Sequence, residues 1–253
     1  MTTPEAEKSF LNSLARGLEV IVVMGRHDSL SISELAGITG MNRWQVRRIV
    51  LTLEALGYVG REGRRLRLRP KVLDLGYAFM FSMDLWKIAA PLIVALVDEV
   101  QLTCTMSVLE GHDIVYLARR TASAPSVRLP LQVGSRVPAH CTASGRVLLC
   151  EKSPEELSAW LAAAPLAKVT ALTETDPAAL RRHIKKTRRE GWCRVDNELA
   201  AGSCAIALPV RDCSGKIMAA ISLSGMDHDL RFPRVLDALR ETANRIESVM
   251  HQS

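Results

Sequence analysis

Eight arginines lie between residues 43 and 69, where the only carboxylates are Glu54 and Glu62. Every basic residue of this segment is an arginine, whose planar guanidinium can bind a phosphate or a base edge through two parallel hydrogen bonds. The segment therefore favours nucleic-acid binding. The alternative is a solvated charged face without a partner.

His140 and Cys141 belong to a second group of residues whose side chains could act as nucleophile, base or metal ligand, but this group does not make a catalytic set. Adjacent residues of an extended segment point to opposite sides, so these two form a poor nucleophile–base pair. The nucleophile-elbow sequence G-x-S-x-G is absent, and no two of the six cysteines are spaced as C-x-x-C. A metal bound by His140, Cys141 and Asp196 is chemically possible, but their spacing matches no motif. We expect no catalysis, no metal and no cofactor.

The composition is that of a folded chain with a polyanionic partner. The 253 residues are 48% apolar and 24% charged, enough for one large or two ordinary domains. The net charge is +6, and an aromatic content of 4% argues against recognition of nucleic acid mainly by base stacking. No apolar run reaches a membrane-spanning length, and the first ten residues lack signal-peptide character. A cytoplasmic location with reduced thiols is expected.

Three predicted helices position the first arginines. Residues 9–27 form the first helix, and its apolar stripe consists of Leu11, Leu14, Leu18, Ile21 and Val22. Ser31 or Ser33 caps the second helix. After a tight turn at residues 39–41, Asn42 begins the third, in which Gln45 completes a capping box. Two helices joined by a short turn that contains glycine predict a helix-turn-helix.

The third helix, residues 42–56, is predicted to be the recognition helix that enters the major groove of DNA. At 100° per residue, its inward positions are Val46, Ile49, Val50 and Leu53. Its outward positions are Trp44, Arg47, Arg48 and Leu51, and an outer face rich in guanidinium groups suits base edges and phosphates. Trp44 either contacts DNA or packs against the preceding helix.

A basic hairpin follows the recognition helix. Tyr58 and Val59 read as a strand, Glu62 and Gly63 as a turn, and residues 65–69 alternate Arg and Leu as a half-buried strand does. A helix-turn-helix followed by such a hairpin is a winged helix, whose wing arginines would contact phosphates or a minor groove. The predicted DNA-binding residues are Arg43, Trp44, Gln45, Arg47, Arg48, Arg61, Arg64 and Arg65.

The predicted domains are a winged helix at residues 1–70, a linker helix at 71–83 and a larger domain at 84–253. The many apolar residues of the linker favour a dimer contact, and burial within the same chain is the alternative. The larger domain begins and ends with helices and contains several short strands, among them a candidate at residues 128–133. This order predicts an α+β domain with an antiparallel or mixed sheet.

The chain resembles the IclR family of bacterial transcriptional regulators over nearly its whole length. The first domain carries ARGLEVI, SISELAGITGMNRWQVRRIVLTLEALGYV and KVLDLGYAF. The second carries LWKIAAPLIVALVDEV, DIVYLARR, VGSRVPAHCTASGRVLLC, RREGWCRVDNEL, AIALPVRD and AAISLSG. LDLGYAF and LWKIA are similar to the regulators of protocatechuate and 4-hydroxybenzoate pathways.

This resemblance implies a GAF-like effector domain, a dimer or a dimer of dimers, and operators built of paired half-sites. It implies a small organic acid, aromatic or keto, as the effector. The corresponding pocket positions are His140, Cys141, Thr142, Ala143, Ser144, Ser203, Cys204, Ala205, Ser222 and Ser224. The expected function is ligand-responsive regulation of an aromatic catabolic operon. The alternatives are a second domain that only oligomerises and a small-molecule enzyme.

The pocket departs from the subfamily at two places. HCTASGR stands where members commonly have YATSMGR, and Ser203-Cys204-Ala205 stands where they commonly have Leu-Arg-Ser. The loss of that arginine removes a carboxylate partner, and Arg136 or Arg146 could replace it or could make structural ion pairs. Ser222 and Ser224 share one strand face and suit a polar ligand or a neighbouring backbone. Asp196 and Glu198 are expected to hold the loop that ends at Gly202.

Overall fold

The computed structural model consists of two compact units, Met1–Ser82 and Met83–Ser253. The structure describes residues 10–82, 85–127, 129–230 and 233–251. No helix within these ranges is long and apolar enough to cross a membrane.

The N-terminal unit is a winged helix. Its helices and strands are α1 (Asn12–Met24), α2 (Ile32–Thr39), α3 (Arg43–Ala55), β1 (Val59–Glu62), β2 (Arg65–Leu68) and, after a 3₁₀ turn at Pro70–Val72, α4 (Leu73–Ser82). The antiparallel pair β1–β2 forms the wing, and Leu30 extends it by pairing with Leu66. Leu66 is fully buried beneath the arginines of β2, as the alternation of Arg and Leu predicts.

Side-chain caps fix where the two helices of the helix-turn-helix begin. The Ser31 hydroxyl accepts a hydrogen bond from the Glu34 backbone, and the Glu34 carboxylate accepts one from Ser31 N–H. Asn42 and Gln45 form the same reciprocal pair at the start of α3. Gly40 ends α2 at φ +67°, a conformation that glycine adopts without steric cost. The capping box predicted for the recognition helix is confirmed.

The core-facing side of α1 is not the stripe that stands out in the sequence. Val20 and Met24 are buried, whereas Leu11, Leu14, Leu18 and Val22 are exposed. These four residues form a continuous line along the outside of the helix, because they recur at intervals of three and four positions. We call this line the α1 stripe.

The C-terminal unit is built on one six-stranded antiparallel sheet. Its helices and strands are α5 (Leu85–Val100), β3 (Thr103–Glu110), β4 (Asp113–Arg120), β5 (Arg136–Pro138), α6 (Ala143–Leu148), α7 (Pro154–Ala163), α8 (Pro177–Glu190), β6 (Cys193–Asp196), β7 (Cys204–Arg211), β8 (Ile217–Gly225) and α9 (Arg234–Met250). The strand order is β5-β4-β3-β8-β7-β6. The α+β class predicted for this domain is confirmed.

The strand predicted for residues 128–133 is wrong over the part that the structure describes, residues 129–133. Pro130 has no N–H to donate to a strand ladder, and Gly134 bends the chain at φ +84°. Gly134 and Ser135 then bond the backbone of Tyr116. The segment is consequently a loop that crosses one edge of the sheet, and residue 128 lies outside the described residues.

The two faces of the sheet are covered by different helices. On one face, Ile221 and Leu223 of β8 join the core formed with α5 and α9. The opposite face packs against α6, α7 and α8, and the side chains of Ser222 and Ser224 lie on that side. A polar cleft therefore faces α6 while the other face stays apolar.

Gly145 allows α6 to approach the 3₁₀ turn at Ala139–Cys141. A Cβ atom at position 145 would lie 2.1 Å from the backbone oxygen of Ala139, a distance that no side chain can occupy. This close approach places the beginning of α6 directly over the sheet, where residues 142–144 border the cleft.

Candidate functional site

The exposed face of α3 carries the predicted base-reading arginines. Val46, Val50 and Leu53 are buried beneath the helix, and Arg47 and Arg48 lie exposed on the opposite side. Arg43 is exposed at the N-terminal end of the helix. The face assignment made from the 100° spacing agrees with this arrangement.

Trp44 lies on the outer surface of the recognition helix. Its side chain is 63% exposed, and the guanidinium carbon of Arg48 lies 4.7 Å from its ring centroid. This cation–π contact restrains Arg48 without neutralising its charge. This exposure leaves Trp44 available for contact with DNA, the first of its two alternatives.

Gln45 has less freedom than its neighbours on the recognition helix. Its side-chain oxygen accepts the Asn42 N–H at 3.3 Å, and its backbone N–H donates to the Asn42 side chain at 2.9 Å. The side-chain amide NH₂ group is the part that remains to donate to a base or phosphate.

The three predicted wing arginines differ in what they contact. Arg61 donates two hydrogen bonds to Glu54 at 2.8 and 3.1 Å, which joins the wing to the recognition helix. Arg65 pairs with Glu34 of α2. Within the described ranges, Arg64 has no ion-pair partner and lies exposed at the tip of the hairpin. Of the three, Arg64 alone presents an unpaired charge.

A cleft opens in the C-terminal unit between the sheet and the beginning of α6. Eight of the ten predicted effector residues line it, namely Cys141, Thr142, Ala143, Ser144, Ser203, Ala205, Ser222 and Ser224. Sequence reasoning missed seven lining residues, which are Thr105, Tyr116, Arg119, Leu129, Leu131, Val195 and Leu199. The structure therefore brings together side chains from loops and strands that are far apart in the chain.

His140 and Cys204 do not line the cleft. The His140 ring is buried and its Nε2 lies 3.1 Å from the backbone oxygen of Ala167; burial lowers its pKa, so the ring is neutral near pH 7. Cys204 belongs to the apolar core on the other face of the sheet. Strand alternation explains why Cys204 does not line the cleft, because the neighbouring residues Cys204 and Ala205 point to opposite faces of the sheet.

The cysteine that does line the cleft is a poor nucleophile. Burial raises the pKa of Cys141 to about 12, so its thiol stays protonated. The described residues contain no cluster of three His, Cys, Asp or Glu side chains able to bind a metal. The chemistry available in the cleft is hydrogen bonding and charge pairing.

A polar row crosses the floor of the cleft. Thr105 lies opposite Arg119 on one side and opposite Ser222 on the other, in the register of β4, β3 and β8. The hydroxyls of Thr105 and Ser222 are 2.7 Å apart. The sequence contains Arg119 and Arg120 side by side, and only the pairing register shows that Arg119 is the one on the cleft side.

Arg136 and Arg146 are structural arginines outside the cleft. Arg136 donates to Asp113 and to the backbone oxygen of Glu110. Arg146 is buried, lies 2.6 Å from the carboxylate of Glu198, and donates to the backbone oxygen of His140 at 2.9 Å. Both Arg136 and Arg146 therefore make structural ion pairs, the second of the two alternatives considered for them.

Glu198 ties the 197–203 loop to the start of α6. Its carboxylate accepts hydrogen bonds from Arg146 and from the backbone N–H of Glu174. The hydroxyls of Thr170 and Thr173 donate to the backbone oxygens of residues 197 and 198. Because this loop carries Leu199 and Ser203, the ion pair fixes one wall of the cleft.

Two family models match the chain. The IclR helix-turn-helix domain matches residues 13–63, and the C-terminal domain of the bacterial transcriptional regulator IclR matches residues 78–248. The matched segments contain the exposed arginines of α3 and the residues that line the cleft. They confirm the family resemblance found in the sequence.

Individual relatives agree with these matches. The Pca regulon regulatory protein of Pseudomonas putida is 39% identical over 86% of this chain and 75% of its own length. The p-hydroxybenzoate hydroxylase transcriptional activator of Acinetobacter baylyi is 28% identical over 96% of this chain and 93% of its own. The crystal structure of an IclR homologue from Microbacterium hydrocarbonoxydans complexed with 4-hydroxybenzoate is 25% identical, with a TM-score of 0.85 over 96% of this chain and 100% of that one.

The buried ion pair generates a prediction about stability. Glu198→Gln leaves the Arg146 guanidinium buried without a counter-ion and should lower the free energy of unfolding by about 3 kcal/mol. The matched control is Asp196→Asn, which removes an exposed carboxylate paired with Arg194 and should cost less than about 1 kcal/mol. Urea unfolding of the full chain measures both. Equal costs for the two variants would contradict a dominant role for Glu198.

Proposed function

Because this chain belongs to the IclR family of bacterial transcriptional regulators, we propose that it regulates an aromatic catabolic operon in response to a small aromatic carboxylic acid. The family consists of transcriptional regulators rather than enzymes. The observation that carries the proposal is the cleft beneath α6, which combines one guanidinium, several hydroxyls and apolar walls. This lining suits a small organic anion with an apolar body.

The relatives support the choice of ligand class. Two of them are named as regulators of the Pca regulon and of p-hydroxybenzoate hydroxylase, and a structural neighbour contains 4-hydroxybenzoate. We assign residues 84–253 to effector binding and oligomerisation, residues 71–83 to the linker and residues 1–70 to DNA binding. The effector changes transcription only if it binds two arrangements of the protein with different affinities.

In the DNA complex, α3 lies in the major groove. Arg47 and Arg48 contact base edges, the Gln45 amide donates to a base or phosphate, and Trp44 packs against the DNA surface near Arg48. Arg43 binds a phosphate at the N-terminal end of the helix, where the helix dipole also favours negative charge. Arg64 places a charge on the backbone beside the groove.

The effector proposal predicts a shift in thermal stability. The melting temperature of the full chain should rise with the concentration of 4-hydroxybenzoate or 3,4-dihydroxybenzoate, because a ligand that binds only the native state stabilises it. Differential scanning fluorimetry measures the shift, and benzylamine, which has the opposite charge, serves as the control. No shift with any aromatic acid would favour the alternative in which the C-terminal domain only oligomerises.

The geometry of the wing predicts that Arg61 and Arg64, which the sequence alone does not distinguish, contribute differently to DNA binding. After selection of the operator from a random DNA pool, Arg64→Ala should reduce the salt dependence of affinity by about one unit of slope. Arg61→Ala should reduce it less, because Glu54 already neutralises that guanidinium. Fluorescence anisotropy over a range of salt concentrations gives the slopes. Slopes lowered equally by both variants would show that the ion pair breaks in the complex.

The same titrations test the recognition helix. Arg47→Ala should cost about 1–3 kcal/mol on the selected operator and relax its sequence preference. A uniform loss on the operator and on unrelated DNA would assign Arg47 to the phosphates instead of the bases.

We also propose that the α1 stripe is a contact between two copies of the chain. Leu11, Leu14, Leu18 and Val22 are between 49% and 66% exposed, which leaves a line of apolar surface on the DNA-binding unit. Leu73 and Leu75 of α4 are likewise exposed, in agreement with the dimer interpretation of the linker. Paired operator half-sites require two recognition helices, so self-association serves the function.

This contact predicts a change in assembly. The double variant Leu14→Glu with Leu18→Glu should weaken self-association of the full chain, because it would bury four carboxylates in the two-fold contact. Arg16→Glu changes charge on the same helix outside the stripe and should associate like the wild type. Sedimentation velocity over a concentration series measures the difference. A wild-type chain that remains monomeric throughout would refute the contact.

A further inference from the structure

Arg119 is the only charged residue among the described residues that line the cleft. Its side chain is half-buried, and the one hydrogen bond that the guanidinium makes to a described residue is a long one of 3.5 Å to the backbone oxygen of Leu129. No carboxylate within the described ranges lies at ion-pair distance from it. A guanidinium in this position has most of its five donors unused.

Three other arginines around the sheet are paired with carboxylates. Arg146 pairs with Glu198, Arg136 with Asp113, and Arg194 with both Asp196 and Asp227. The pairs show that the fold supplies a counter-ion to arginines that serve only structure. Arg119 differs from these three because it is half-buried in the cleft and has no counter-ion among the described residues.

We propose that Arg119 binds the carboxylate of the effector and supplies the charge partner that the Ser203-Cys204-Ala205 segment lacks. This inference rests on the proposed function, since it names the residue that recognises the acid. A guanidinium and a carboxylate can form two parallel hydrogen bonds, which fix the orientation of the ligand as well as its charge. The half-buried position strengthens the pair relative to an exposed one.

The position of Arg119 on the floor determines what the rest of the ligand contacts. Thr105 is its direct cross-strand neighbour, and Ser222 lies one strand further. A carboxylate on Arg119 can also accept a hydrogen bond from the Thr105 hydroxyl, which then accepts the hydrogen bond from Ser222 at 2.7 Å. The acid group is thus directed to the β4–β3–β8 side of the cleft.

Unpaired hydroxyls are available for polar groups elsewhere on the ligand. Within the described residues, four lining hydroxyls have no hydrogen-bond partner, those of Tyr116, Ser144, Ser203 and Ser224. Burial raises the pKa of Tyr116 to about 12, so this phenol remains a donor. Leu129, Leu131 and Leu199 contribute apolar wall for an aromatic ring. The lining as a whole fits a hydroxylated aromatic carboxylate.

The test compares an acid with its neutral isostere. Isothermal titration of the full chain with 4-hydroxybenzoate and 4-hydroxybenzamide gives the ratio of their affinities, and the wild type should prefer the acid. Arg119→Gln should weaken acid binding about 10- to 100-fold, the range for a hydrogen bond to a charged group, and change amide binding by less than about threefold. The ratio should approach one.

Two further variants separate charge from folding. Arg120→Gln alters the neighbouring exposed arginine, whose side chain points to the opposite side of β4, and should keep the wild-type ratio. Arg119→Lys keeps the charge without the planar fork and should retain part of the preference for the acid. Unfolding midpoints without ligand show whether each variant folds. If Arg119→Gln does not fold, the affinity ratio of Arg119→Lys tests the assignment in its place.

The outcomes distinguish this inference from the function on which it rests. A wild-type preference for the acid that Arg119→Gln retains would overturn the assignment of Arg119 and leave the effector class standing. Binding of neither compound nor of other aromatic acids by the wild type would overturn the effector class itself. Loss of the preference in Arg119→Gln, with partial recovery in Arg119→Lys, supports the assignment.

Discussion

The two-residue period of the β-strands is the constraint on which the C-terminal unit depends. Along β8, Ile221 and Leu223 must point to the face covered by α5 and α9, so Ser222 and Ser224 must point to the other. The same parity holds on β3, whose antiparallel register places Thr105 opposite Ser222. On β4, a register shift opposite Met106 and Ser107 allows both Tyr116 and Arg119 to line the cleft. One apolar face and one partly polar face follow from the same backbone geometry, and the cleft occupies the polar one.

Counter-ions divide the arginines of both units into two kinds. Arg61 and Arg146 form ion pairs with Glu54 and Glu198, and these pairs hold the wing and the 197–203 loop in place. Arg64 and Arg119 have no such partner among the described residues, and their charges face the positions proposed for DNA and effector. A guanidinium without a counter-ion in the fold keeps its hydrogen-bond donors available for a ligand.

Two walls of the cleft, the beginning of α6 and the 197–203 loop, are held by buried contacts. Gly145 allows the beginning of α6 to touch the turn at Ala139, and the Arg146–Glu198 pair links that helix to the 197–203 loop. Removal of either ion-pair partner would leave a buried charge without its counter-ion. These two walls of the cleft are therefore held in place by contacts within the fold, which lowers the conformational cost of ordering them when a ligand binds.

The sequence by itself determined the winged helix and the α+β class of the second unit, and the family resemblance implied eight of the residues that line the cleft. Capping residues such as Asn42 act within one turn of helix, and the outward arginines of α3 follow from helical spacing, so these features are local. Tertiary structure decided the features that depend on contacts between residues far apart in the chain. Arg61 is neutralised by Glu54, the α1 stripe faces outward while Val20 and Met24 fill the core, and Arg119 enters the cleft where Arg120 does not. Each of these outcomes is set by strand register or helix packing between residues far apart in the chain, and a local pattern carries no information about that pairing.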